Sequence, residues 1–203
     1  MKNYVLSLFA AAVLIGCKKN ETPNVNSSDG NPPMSAPVDS GMAVKDSAAV
    51  TGAQGTKTTL SDQDKKFADA AAKGGLMEVM MGKLAETNAA NPTVKSLGAM
   101  MVSDHSKANE ELKKWASAIG YTLPAALDAD QQKIYDGLKA KKGADFDRAY
   151  TDLMVSDHKE DIEEFKKQAA NGTEASLKSF AAKTLPTLEH HLKESEKAKS
   201  GVK

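Results

Sequence analysis

From Ser61 onward apolar residues recur at intervals of three and four, the spacing of one helix face, and no run alternates with the period of two that a half-buried strand needs. Capping residues divide this part into segments. The first helix starts at Ser61, with Asp64 three residues on, and runs to about Ala90. The second starts at Asn91, places Pro92 in a first turn that tolerates its missing N–H, and stops at Gly120 ahead of Pro124. A short helix from Asp128 to about Lys142 ends at Gly143. The third long helix spans about Ala144 to Ala170 and is closed by Asn171 and Gly172. The fourth starts at Thr173 and contains Pro186, which is expected to bend it. Four long helices joined mostly by short turns predict an all-α, antiparallel four-helix bundle with one extra short helix between the second and third.

The apolar stripes carry polar interruptions. On the second helix the seam is Val94, Met101, Ala108, Leu112, Trp115 and Ile119, and on the third Val155, Ile162, Phe165 and Ala169. Met101-Val102-Ser103-Asp104-His105 recurs 53 residues later as Met154-Val155-Ser156-Asp157-His158, which sets His105 and His158 on those seams. The match continues from Glu110-Glu111-Leu112-Lys113-Lys114 to Glu163-Glu164-Phe165-Lys166-Lys167. On the fourth helix Leu177, Ala181, Thr184, Leu188, His191 and Ser195 share a face, so His191 points inward while His190 joins the lysines outside. On the first, Glu78 is the single acid in the seam Phe67, Ala71, Gly74, Glu78, Met81 and Ala85. A lone core carboxylate is costly unless paired or bound to a cation.

One inward ligand per helix (Glu78, His105, His158 and His191) suits a transition metal such as zinc, iron, copper or manganese. Asp104 and Asp157 are then ligands or outer partners that fix the imidazole tautomers. Counted from the helix turns, Glu78, His105 and His158 agree in level within roughly 3 Å, while His191 falls on the order of 8 Å away and joins only through the Pro186 bend or a shift of the turns. The competing reading is a polar core in which the same side chains hydrogen-bond one another and specify packing.

The front of the chain changes the setting. Met1 and Lys2 precede an apolar run from Tyr4 to Ile15, too short to span a bilayer, and Leu14-Ile15-Gly16-Cys17 forms a lipobox. Residues 1–16 read as a lipoprotein signal peptide. Cys17, the one cysteine in 203 residues, excludes an internal disulfide and is the expected site of a diacylglycerol and, on its amine, an acyl chain such as palmitate. Lys18 stands where an aspartate would signal inner-membrane retention, which favours the outer membrane. Residues 17–58 have no aromatic side chain and a polar, Pro-, Gly- and Ser-containing composition, so they read as a disordered linker reaching roughly 35 Å, with the bundle domain at 59–200. The 27 basic and 27 acidic residues balance, the Lys- and Glu-rich tail mixes both signs, and nothing supports a nucleic-acid partner. The membrane, through the lipid on Cys17, is the expected partner, with an envelope protein as a further one.

The lipobox, the linker, Glu78, the two Met-Val-Ser-Asp-His segments, Phe146-Asp147-Arg148-Ala149-Tyr150 and Leu185-Pro186-Thr187-Leu188-Glu189-His190-His191-Leu192 together give a resemblance. The chain resembles, over about Ser61 to Lys197, a bacterial domain-of-unknown-function family of "predicted outer membrane protein" lipoproteins, which implies a ferritin-like bundle and an envelope location but no activity. The di-iron pattern, a glutamate three residues before a histidine on two helices, is missing: Val102, Val155 and Leu188 occupy those places. A mononuclear site fits better. No serine nucleophile elbow, phosphate loop or thiol pair is present, so an enzyme is disfavoured. A metal-binding envelope lipoprotein, a non-catalytic structural or interaction module and, last, a metal-dependent redox enzyme remain.

Overall fold

A computed structural model describes residues 59–202; the signal peptide, Cys17 and the linker to residue 58 lie outside the described residues. Five helices follow in order: α1 (Asp62–Asn88), α2 (Pro92–Ile119), α3 (Ala129–Lys139), α4 (Gly143–Asn171) and α5 (Ala175–Ser200). Among the described residues there is no strand, and no helix is long and apolar enough to cross a membrane. Ser61 Oγ accepts from the Asp64 N–H at 3.1 Å, and Asn91 Oδ1 accepts from Thr93 N–H at 2.8 Å. Gly120 closes α2 in the left-handed region at φ 69°, where a side chain would be strained. Asp128 and Gln131 form a full capping box on α3.

Two boundaries differ from the sequence expectation. The short helix stops at Lys139, and Gly143, with φ 59°, opens α4 instead of closing α3. Glu174, not Thr173, caps α5, its carboxylate accepting from the Leu177 N–H. Thr173 is drawn away because its hydroxyl and N–H both donate to Asp64. Through Pro186 α5 runs without a break; proline and Ala182, whose carbonyl loses its donor, are both exposed, where solvent can reach that carbonyl.

Polar clasps at the two ends fix the topology. At one end Asp147 of α4 accepts from the N–H groups of Ala90 and Asn91 at 3.1 and 2.9 Å, Asn91 donates to the Gly201 carbonyl, and Asn88 donates to the carbonyls of Lys139 and Lys141. At the other, Asp64 of α1 meets Gln168 and Thr173, and Trp115 Nε1 donates to Glu174 at 2.9 Å. Every neighbouring pair (α1/α2, α4/α5, α1/α4, α2/α5) is therefore antiparallel. The α1–α2 turn and the α4–α5 turn sit at opposite ends, and the segment containing α3 crosses from one end to the other. Helices α1 and α2 approach closely at Gly82 and Gly98: a Cβ on Gly82 would lie 2.6 Å from the Gly98 carbonyl oxygen.

The core splits into two apolar layers. One gathers Met77, Met81, Met101, Tyr150 and Met154; the other gathers Phe67, Leu112, Ile162, Phe165 and Phe180. The methionines the sequence assigned to packing are there.

Asp64 is fully buried, and burial alone would raise its carboxyl. Hydrogen bonds from Ser61, Thr173 and Gln168 outweigh that and hold it well below the usual carboxylate range. A depressed acid stabilises the fold above its unfolded pKa, and the stabilisation drains as pH falls below it. Asp64→Asn is expected to lower stability by about 1.5–3 kcal/mol at pH 7, the range for hydrogen bonds to a charged group, and to flatten the loss of stability below about pH 4. Urea unfolding at pH 7 and pH 3 checks both.

Candidate metal centre

Between the two apolar layers lies a polar one, with one residue from each long helix: Glu78 on α1, His105 on α2, His158 on α4 and His191 on α5. They are 3, 7, 0 and 0 % exposed. One ring nitrogen of each histidine lies within 4.8 Å of those of the other two. Glu78 Oε2 meets His105 Nδ1 at 2.8 Å, and Oε1 lies 3.4 Å from His158 Nε2.

His191 belongs to this group, against the offset expected from sequence. That offset assumed both turns at one end of the bundle. Counted instead from the end held by Asp147, where α1 and α5 finish and α2 and α4 begin, the four residues stand about ten to fifteen residues in. Helix staggering absorbs the remaining few ångströms. No bend at Pro186 is needed, since α5 simply runs the other way relative to the assumed origin.

Hydrogen-bond partners assign the tautomers. His158 Nδ1 faces the Met154 carbonyl at 2.9 Å, which only accepts, so the proton is on Nδ1 and Nε2 is a lone pair. His191 Nε2 faces the Asp104 carboxylate at 3.2 Å, so its proton is on Nε2 and Nδ1 is a lone pair. Those two lone pairs confront each other at 3.2 Å. Glu78 Oε1, a third acceptor, faces the same His158 nitrogen and has no hydrogen bond. His105 gives its Nδ1 proton to Glu78, and its Nε2 is buried without a partner.

A proton shared by imidazolium would relieve this confrontation, but the surroundings oppose it. Burial pushes His105 and His191 down to about 4, against raising pulls from Asp161 and Asp104 on the first and from Asp104 on the second. His158 is lowered by burial too, with Glu78 acting the other way. Burial pushes Glu78 up to about 7, opposed by His158. The cluster is thus three neutral imidazoles beside a carboxyl that burial keeps partly protonated near neutral pH; a proton on its Oε1 would serve His158 Nε2 and still leave His191 Nδ1 without a donor.

Asp104, expected as a ligand or outer partner, lies 3.2 Å from His191 Nε2 and 3.1 Å from Lys107 Nζ. Those bonds outweigh its partial burial and lower its carboxyl. Asp157, expected beside it, makes no hydrogen bond to a histidine. The repeat explains the difference. Helices α2 and α4 lie diagonally across the bundle, so where Asp104 meets His191 of α5, Asp157 meets α1, which carries Glu78 instead. Burial, then Glu78 and Glu160, push Asp157 up to about 7. Sequence reading passed over Asp161, raised by burial and Glu78, because it sits in the charged run Lys159-Glu160-Asp161 that reads as a solvated face. The buried hydroxyls of Tyr150 and Ser195, both without partners, were passed over as well. Ser195 had been placed on the inward seam, and that was its one signal.

Four antiparallel long helices with inward polar side chains at one level make an all-α, ferritin-like bundle. The chain belongs to the family described as a domain of unknown function, DUF4142, which matches residues 49–198. No curated protein matches it in sequence. Among solved structures it is similar to a DUF305 fragment from Deinococcus radiodurans, with 10% identity, TM-score 0.62, and 70% of this chain and 99% of that one covered. It is also similar to CopM in the Cu(II)-bound form, at 16% identity and TM-score 0.58 over 68% of this chain and 96% of that one. The Ag-bound form of CopM gives 18% and 0.54 over 66% and 93%. At these identities the likeness concerns the fold.

Proposed function

We propose that the bundle binds a single transition-metal ion through His105, His158, His191 and Glu78, and that the protein presents this site from the cell envelope on a lipid attached to Cys17. The observation that carries the reading is the pair of lone pairs, His158 Nε2 and His191 Nδ1, facing each other at 3.2 Å. Buried acceptors normally find donors, and here neither ring brings one to the other. Two ligands each about 2 Å from one tetrahedral ion stand roughly 3.3 Å apart, so the observed spacing suits a cation. Neutral imidazoles and a carboxylate are the donors that zinc, copper, iron and manganese accept, and at equal geometry copper(II) binds such sets most tightly. CopM, a relative in fold, is seen in metal-bound forms, which makes copper the first ion to try.

Within the site, the chain's own groups do the preparation. The Met154 carbonyl and Asp104 hold two imidazoles with their lone pairs inward, and burial keeps the rings neutral and dry. A bound ion would add Lewis acidity there, and binding is the role this reading assigns to the site. Elemental analysis of the purified protein after exposure to copper, zinc, iron or manganese tests this: one tightly held ion per chain is expected, and none with any of the four would sink it. The lipobox and linker support placement at the outer membrane, with the lipid as membrane contact and another envelope protein as a further partner. Cys17→Ser is expected to shift the protein from the membrane fraction to the soluble fraction, with loss of the lipid mass on the N-terminal peptide.

A further inference from the structure

An ion held in a layer this buried must pass through the bundle wall, and two cavities meet at its edge. A crevice of about 280 Å³ opens between α1, α3 and α4, bordered by Asp157, Glu160 and Asp161 and reaching Glu78. A small inner cavity of about 20 Å³, room for one water or ion, lies against Glu78 and His105. Gly74, Glu78 and Asp161 are the residues common to both linings. The acidic border is not alone in pointing to a cation: Glu78 Oε1 and His105 Nε2, both buried, have no partner. The crevice's lysine, Lys73, is already held by Asp128 at 2.8 Å. A Cβ on Gly74 would meet nothing within 4 Å, so the wall is open there.

We infer that this α1–α4 crevice is the path by which a divalent transition-metal cation reaches the histidine cluster, with Asp161 passing the ion from the crevice to Glu78 and His105. The inference rests on the metal-binding reading above. Asp157 and Glu160 draw the cation to the mouth, Asp161 spans the wall, and Gly74 leaves the width for it. The carboxylates lower the barrier in both directions, so they govern rates more than final occupancy.

Stopped-flow mixing of the purified protein with copper(II) tests this, read by quenching of Trp115, the sole tryptophan, with release followed into excess EDTA. Asp161→Asn is expected to slow uptake and release together, each on the order of tenfold, the lower end of electrostatic steering effects. Gly74→Leu, which fills the open space at the wall, is expected to slow both as well. Should that variant fail to fold, Asp157→Asn with Glu160→Gln takes its place, with slower uptake expected. The path is overturned if the variants load and unload copper at wild-type rates, or if Asp161→Asn releases copper faster with uptake unchanged, the mark of a ligand. Copper bound at wild-type rates by every variant sinks the path alone; no copper bound by the wild type sinks the metal reading and the path with it.

Discussion

Copper(II) titrated into the purified protein is expected to saturate at one ion per chain, and His158→Ala or His191→Ala to weaken binding by more than about 100-fold. Loss of an outer partner typically weakens a metal site about 10- to 100-fold, so loss of a direct ligand must exceed that. Each substitution removes one of the two facing lone pairs and leaves the other without its counterpart. Asp104→Asn belongs to the outer class: a neutral amide holds the proton on His191 Nε2 less firmly than the carboxylate, and a drop of about 10- to 100-fold is expected. His190→Ala is expected to change nothing, since His190 is exposed and its ring centroid stands 6.4 Å from that of His191, outside the cluster. Isothermal titration against a competing chelator separates these grades. Equal, small losses for all four variants would contradict the assignment.

Without metal, Glu78→Gln is expected to make the protein more stable, and increasingly so as pH rises. Glu78 titrates near 7 when folded, against an ordinary value of 4.5. A raised acid means the folded state holds the proton that the unfolded state has released between those two values, so its contribution to stability falls as pH climbs through the window and the full penalty stands above about 7. The shift corresponds to about 3 kcal/mol. Glutamine removes the charge and adds a donor: its carbonyl still accepts from His105 Nδ1, and its amide N–H faces His158 Nε2 where two acceptors stood 3.4 Å apart. Guanidinium unfolding in EDTA at pH 5 and pH 8 is expected to show a small difference at the first and a gain of about 2 kcal/mol at the second. A polar core selected only for packing gives the opposite sign, because every substitution within it then loosens a satisfied network. The same variant, having exchanged an anionic ligand for a neutral one, is expected to bind copper more weakly.

Much of this was legible in the chain, for identifiable reasons. Ser61, Asn91, Gly120 and Asp128 mark helix ends through local backbone chemistry, which needs no tertiary context. The inward places of Glu78, His105, His158 and His191 followed from three-four periodicity. What periodicity lacks is the direction in which a helix is entered: the crossover containing α3 puts the two tight turns at opposite ends, and levels counted without it separate His191 from its partners. The roles of Asp104 and Asp157 were equally hidden. Identical in sequence context, they differ because one looks across to a histidine and the other to a glutamate. Asp161 was concealed by its neighbours, since a carboxylate in an acidic run shows its place beside Glu78 only once α1 lies against α4.

The most direct test of the central claim is a crystal grown with copper(II) and measured with anomalous scattering at the copper edge. One strong peak within about 2 Å of both His158 Nε2 and His191 Nδ1, ringed by Glu78 and His105, is the expected result. Copper confined to surface positions such as His190, with the two facing nitrogens still 3.2 Å apart and nothing between them, would contradict it.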